Sequence, residues 1–390
     1  MLIRPTAFTI GLIIYSFITL FVVYTEFGID SPVLAAAFLA AFITLFIVPP
    51  DKGYAGYVNS TVLIQLFSLM TAVAGLRSIG IFERVTDVML EKAGTFRKLG
   101  QIFVLICFFS SMLVTNDVAL LTFIPLTLIA LKDADKKSVI LTIVLETAAA
   151  NLGSMLTPVG NPQNLFIYAN YNMNAGILIK TMAPAGIASL IILMLLTLLL
   201  PADKCPHTGS DVYEKLQIAP LCGYIVLFTV CLLTVFRVIP DTVCLISALV
   251  CALIFNRKLL MKVDYSLLAT FLCFFIFVGN IARISTVNEF FSGIMEGREI
   301  LISAALSQVI SNVPAAMMLS GFTSNGTKLL LGVNLGGLGT LIASLASLIS
   351  FQFYRKSKGA DTLKYIAVFS AVNFGMLILL LILQNAIFLI

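Results

Sequence analysis

Asn151, Gly153, Pro158, Gly160, Asn161, Pro162, Gln163 and Asn164 crowd amides and helix breakers into one short stretch of a strongly apolar chain. From Thr147 to Ile179 no residue is charged, a run of 33 positions, whereas one helix crossing a bilayer needs about 20. Proline removes a backbone donor and glycine weakens a helix. The stretch therefore predicts a membrane helix that unwinds partway across. Its freed N–H and C=O groups must be buried in protein or line a cavity. Half-helices of this kind build solute and ion sites near the bilayer midplane. The structural alternative is a kinked packing helix.

A second stretch has the same form. NLGSMLTPVGNPQNL begins at Asn151 and NLGGLGTLIASLASL at Asn334. Shifted by 183 positions, they share Asn, Leu and Gly, then Thr157 with Thr340 and Leu165 with Leu348. Carbonyls unwound after Asn151 and Asn334, with Gly153, Thr157, Gly336, Thr340 and Ser344, offer oxygen ligands to a hard cation such as Na⁺. The same glycines would also serve close helix packing.

Two further motifs supply the opposite polarity. Thr115-Asn116-Asp117 and Ser311-Asn312 interrupt apolar runs with residue types that favour helix starts, and Pro314 suits a first helical turn. A helix start inside a membrane presents free N–H groups and about half a positive charge, a seat for an anion. Thr115, Asn116, Ser311, Asn312 and Pro314, with Asn161, Gln163 and Asn164, are the candidate substrate residues. The plainer role is to cap buried helices. Asp117 and Glu146 are the acids farthest from a predicted membrane surface. Ionisable groups there bind cations or carry protons by default. Structurally, Asp117 would act as a cap and Glu146 as a hydrogen-bond partner of a neighbouring helix.

The elements that position these residues follow from hydropathy. The 390 residues are 60% hydrophobic and 11% charged, with mean hydropathy +1.06, which excludes a soluble domain. Spans are predicted at about 6–24, 33–49 and 58–76, then a charged amphipathic piece at 77–98. A re-entrant hairpin follows at about 99–131, with arms of 14 to 18 residues, then the broken helix at about 137–170 and a span at 176–200. After a polar cytoplasmic linker, 201–217, the order repeats: spans at 218–236, 240–256 and 265–282, a surface helix at 283–299, a hairpin at about 300–326, a broken helix at 328–354 and a last span at 362–389. The fold class is an all-α polytopic membrane protein of two repeats, 1–200 and 218–390. Each has five crossings, one of them broken, and one hairpin. An odd number of crossings inverts the second repeat. Of 24 Lys and Arg, 17 fall on one side of this topology, which the positive-inside bias makes cytoplasmic. Both termini then face outward. Seven cysteines show no metal-ligand spacing, and His207 beside Cys205 falls short of a site.

The segments TNDVALLTFIPL, ANLGSMLTPVGNPQN, SNVPAAMML and GVNLGGLGT resemble the ion transporter superfamily. It includes arsenite permeases, D-type sodium/proton antiporters, citrate transporters and divalent-anion/sodium symporters. The symporter branch reads Ser-Asn-Thr at both tips. Asn116-Asp117 is closer to the arsenite-permease branch. The resemblance implies a homodimer, a scaffold from the first two spans of each half, a mobile domain of hairpins and broken helices, and elevator-type access. The reading is a secondary transporter of a small anion or oxyanion in the cytoplasmic membrane, coupled to Na⁺ or H⁺. It has no cofactor, nucleotide or nucleic-acid partner. A sodium/proton antiporter using Asp117 is the alternative within the class. An intramembrane aspartyl protease pairing Asp117 with Glu146 is the alternative outside it, and a channel is a third.

Overall fold

The computed structural model describes residues 32–82, 84, 93–132, 134–204 and 217–388. The first predicted span, most of the 201–217 linker with Cys205 and His207, and part of the amphipathic piece at 77–98 lie outside these residues. Among the described residues the elements are helical, and six helices are long and apolar enough to cross a membrane.

Two helices open the described chain, α1 (Pro32–Ile47) and α2 (Ser60–Ser78). The first hairpin is α3 (Phe96–Val114) and α4 (Asn116–Ala130). Its first arm, at 19 residues, is longer than predicted, because the Thr95 side chain accepts from Lys98 N and starts the helix at Phe96. The first broken helix is α5 (Lys136–Ser154) and α6 (Pro162–Asn170). Asp135 caps α5, and the Ser138 hydroxyl holds its carboxyl below the ordinary carboxylate range. Asn161 caps α6, with Pro162 in the first turn where a missing N–H costs nothing.

Then come α7 (Ala175–Leu196), α8 (Ile218–Val235), α9 (Asp241–Phe255), α10 (Tyr265–Ala282) and the short α11 (Ser285–Met295). The second hairpin is α12 (Glu299–Ile310) and α13 (Asn312–Ser320). It stops at Ser320 rather than 326. The second broken helix is α14 (Gly326–Leu335) and α15 (Leu345–Lys356), with a 3-10 turn at Leu341–Ala343 between them. The last helix is α16 (Thr362–Phe388).

Helix α5 is the central strut, buried continuously from Thr142 to Ser154. Small residues, Ala148 to Ala150 and Gly153, let its neighbours close on it, as they do between helices in a membrane. A Cβ at Gly153 would lie 2.0 Å from the Phe108 carbonyl oxygen on α3. Both arms of the first hairpin lie along α5, α3 parallel and α4 antiparallel, so the tip at Thr115 meets the end of α5. The chain continues beyond that level as α6, so the tip stops inside the molecule.

The second hairpin meets α14 in the same register. A Cβ at Gly336 would lie 2.8 Å from Ala304 Cα on α12. Contacts also join the ends of the two units. Tyr171, after α6, donates to the Ser320 and Thr323 carbonyls beside the mouth of the second hairpin. Gly359, after α15, lies against the Lys136 ammonium at the mouth of the first. On the remaining helices, Thr61 bonds Asp241 between α2 and α9. Arg283 pairs with Asp51 at 2.7 Å, which holds the Asp51 carboxyl below its ordinary range.

Candidate functional site

The two tips share one unusual backbone. Thr115 has φ 72° and ψ 149°, and Ser311 has φ 74° and ψ 155°. This region is almost reserved for glycine, and a side chain there costs about 1–3 kcal/mol. Strain of that size persists only where surrounding structure fixes it. Neither residue makes a side-chain cap bond to its helix, so the simple capping role does not account for them. The Asn116 N–H donates to the Gly160 carbonyl, and the Ser311 hydroxyl reaches the Ala343 carbonyl at 3.4 Å. Gly160 and Ala343 are related by the same 183-position shift as Asn151 and Asn334. Each tip thus rests on the break beside it.

At the centre the two breaks interlock. Asn151 Oδ1 accepts from Asn116 Nδ2 at 2.9 Å and from Ser344 Oγ at 3.0 Å, and Asn151 Nδ2 reaches Ser347 Oγ at 3.4 Å. Asn334 Oδ1 accepts from Asn161 Nδ2 at 3.0 Å, and Asn334 Nδ2 donates to Asn164 Oδ1 at 2.6 Å. Shifting Asn151, Ser344 and Ser347 by 183 positions, forward or back, gives Asn334, Asn161 and Asn164. Each asparagine therefore grips the opposite break through equivalent positions. All six residues are at most 4% exposed. A buried amide that loses its partner costs about 1–3 kcal/mol, so this crossing bond set holds both breaks in one arrangement.

The break carbonyls are less free than the sequence suggests. Asn164 Nδ2 lies within 3.3 Å of the Ser154, Met155 and Thr157 carbonyls. Gln308 Nε2 donates to the Gly336 and Leu338 carbonyls, and its Oε1 accepts from Thr340 N. The Thr157 hydroxyl donates to Met112 O and the Thr340 hydroxyl to Gln308 O. Side-chain amides thus supply the donors that unwinding would leave missing. Gly153 and Gly336 take the packing role already described.

Gln308, Ser154 and Ser347 were not among the residues expected from the sequence. An amide one turn before the Ser311 tip in an apolar arm was a usable signal for Gln308. The 183-position alignment places Ser347 opposite Asn164.

Of the two acids, Asp117 is half-buried in the first turn of α4. Glu146 is 0% exposed, and its Oε1 accepts from the Thr127 hydroxyl at 2.5 Å. Its Oε2 has no partner among the described residues. Beside it, Thr147 donates to Ser350 at 2.8 Å. Gln163, Asn312 and Pro314 are buried around the tips and breaks. No cluster of three metal-ligating side chains occurs among the described residues. The centre therefore consists of hydroxyls, amides and helix starts, with Asp117 at one tip.

The chain is similar to known membrane transporters. The model of the citrate transporter family matches residues 18–325. An uncharacterized transporter of Methanocaldococcus jannaschii is 33% identical over 297 residues, 74% of this chain and 80% of that protein. The inner membrane protein YbiR of Escherichia coli is 31% identical over 317 residues, 80% and 84%. The silicon efflux transporter LSI3 of Oryza sativa is 30% identical over 168 residues, 42% and 34%. The YdaH transporter of Alcanivorax borkumensis has a similar fold, with TM-score 0.56, 12% identity and 88% of each chain covered.

Proposed function

Since this chain belongs to the citrate transporter family, we propose that it is a secondary active carrier of a small, oxygen-rich anion or oxyanion, driven by Na⁺ or H⁺. It is a multi-pass membrane transporter and not an enzyme. The observation that carries the finer reading is the crossed asparagine pair. Two units, each a hairpin and a broken helix, meet break to break through side-chain bonds at equivalent positions. A site between inverted repeats is the architecture that alternating access uses.

The chemistry limits the solute. Thr115, Asn116, Ser311 and Asn312 bring helix N-termini and neutral donors to one place. These favour an anionic or hydroxylated head. None of the tip or break residues is basic, so a strongly charged anion needs a cation or proton travelling with it. The family's citrate and the silicon of the rice relative both fit an oxygen-rich head. Asp117 is the natural carrier of the coupling ion, and Glu146, with its unpartnered oxygen, is the second candidate. Asp117 as the only transported-ion site would instead make the protein a sodium/proton antiporter. In the carrier reading the chain acts as a homodimer in the cytoplasmic membrane. Its hairpins and broken helices slide as an elevator against the other helices.

Thermal stability of the purified protein tests this reading. Citrate, silicate, arsenite, sulfate and phosphate are added in sodium or choline buffer, at two pH values. At least one is expected to raise the melting temperature, and more so with Na⁺ or at lower pH. No response to any of them would count against an oxyanion carrier.

Orientation has its own test. Single cysteines replacing Lys136 and Ser357 are expected to react only with reagent on the cytoplasmic face, and one replacing Asn172 only from outside. Labelling of Asn172 and Ser357 from the same face would overturn the inverted arrangement.

A further inference from the structure

Among the described residues, four non-glycine positions adopt left-handed backbone. Two are the hairpin tips. The other two, Asn172 (φ 49°) and Arg237 (φ 62°), line one cavity of about 490 Å³, away from the tips. The cavity lies between the start of α2, the end of α6 and the α8–α9 connection. Both close a helix C-terminus: Met173 N donates to Tyr168 O after α6, and Val238 N to Leu233 O after α8.

The acid in this cavity is Asp241. Its Oδ2 accepts from the Thr61 hydroxyl at 2.8 Å and its Oδ1 from Gln65 Nε2 at 3.1 Å. No basic side chain pairs with it within ion-pair distance among the described residues. Arg237, on the same cavity wall, is held by Tyr168. Its Nη2 donates to Tyr168 O at 3.2 Å, and its guanidinium lies 4.9 Å over the Tyr168 ring. That contact also places a cation at the C-terminal end of α6, where the helix dipole favours it.

Gln65, which lines the cavity, carries an unmet acceptor. An ionised carboxylate only accepts hydrogen bonds, so the amide must turn its nitrogen to Asp241. Its Oε1 is thereby left as the spare acceptor beside that bond. That oxygen is buried, on a residue 4% exposed, and has no hydrogen-bond partner. A buried acceptor left unmet costs about 1–3 kcal/mol, and something that donates or carries positive charge would relieve it. Thr61 spends its proton on Asp241, which leaves its own lone pairs available. The cluster thus presents one formal negative charge and several neutral oxygens. Such a set suits a hard cation, and a single carboxylate suits a monovalent one. An anion would meet the carboxylate and the acceptor oxygens.

We infer that Asp241, Gln65 and Thr61 form a binding site for a monovalent hard cation of the sodium class, separate from the tips and breaks. The inference does not depend on the transport reading. The site joins α2 to α9 beside the Arg237–Tyr168 contact, so occupancy braces this end of the helix packing.

The test uses the purified full-length protein and follows melting temperature against NaCl, with choline chloride holding ionic strength constant. Wild type is expected to show a saturable rise. Asp241→Asn and Gln65→Leu are expected to move its midpoint at least about tenfold higher, because each removes a ligand oxygen and the first removes the charge. Gln65→Glu adds a second carboxylate and is expected to create a response to Ca²⁺ that wild type lacks. Asp361→Asn, at the start of α16 and outside the cavity, is expected to keep the wild-type midpoint. Absence of a sodium response in wild type would overturn the site. So would unchanged midpoints in Asp241→Asn and Gln65→Leu, or a midpoint lost only in Asp361→Asn. If Asp241→Asn does not fold, the two Gln65 variants decide.

Discussion

Asn116→Ala and Asn312→Ala are each expected to reduce solute uptake by about a hundredfold or more while folded protein remains in the membrane. Asn116 binds Asn151 Oδ1 through its side chain. Removing it leaves that oxygen still bonded to Ser344, so the break keeps a partner and the fold should survive. Asn312 opens α13 at the second tip and is 4% exposed. Each amide stands at a helix start where the solute head is proposed to dock. The check measures initial uptake, membrane content and melting temperature on the same preparations. Wild-type uptake by either variant would remove that residue from the site. Loss of folded protein alone would reduce its role to holding the tip.

The second large effect concerns coupling. Asp117→Asn keeps size and the ability to sit in a first helical turn, so α4 should form. It removes the formal charge at the first tip, for which the aligned residue at the second tip is Val313. The variant is expected to exchange solute across liposomes near the wild-type rate. Accumulation driven by an imposed proton or sodium gradient should fall to the level without a gradient. Both are measured on one preparation, with each gradient in turn. Accumulation equal to wild type would free Asp117 from the coupling role and turn attention to Glu146. Loss of exchange as well as accumulation would place Asp117 in solute binding.

The helices and their interruptions were legible because a bilayer enforces long apolar runs, and each departure from them stands out. Asn151 and Asn334, and the Thr115 and Ser311 tips, were visible for that reason. Their partners were harder to read. That Asn151 grips Ser344 and Ser347, while Asn334 grips Asn161 and Asn164, depends on how two distant segments cross. No local pattern encodes that crossing. The break carbonyls were read as free because unwinding frees them. Asn164 and Gln308 supply the missing donors from three-dimensional neighbours. Gln65 and Asp241 were overlooked because each is ordinary in its own sequence context, and only the packing of α2 on α9 brings them together. The length of α3 was underestimated because its first turn, Phe96 to Lys98, carries two charges that hydropathy assigns to the surface.

If the crossed breaks and paired tips form the site of a carrier, counterflow in liposomes should reveal it. Purified protein is reconstituted into vesicles loaded with the unlabelled oxyanion that stabilises it best. These are diluted into a trace of the labelled form, with no ion gradient. A carrier is expected to give a transient overshoot of label inside, because each outward-facing site returns loaded. Label that only equilibrates, with no overshoot, would contradict the account and point to a pore.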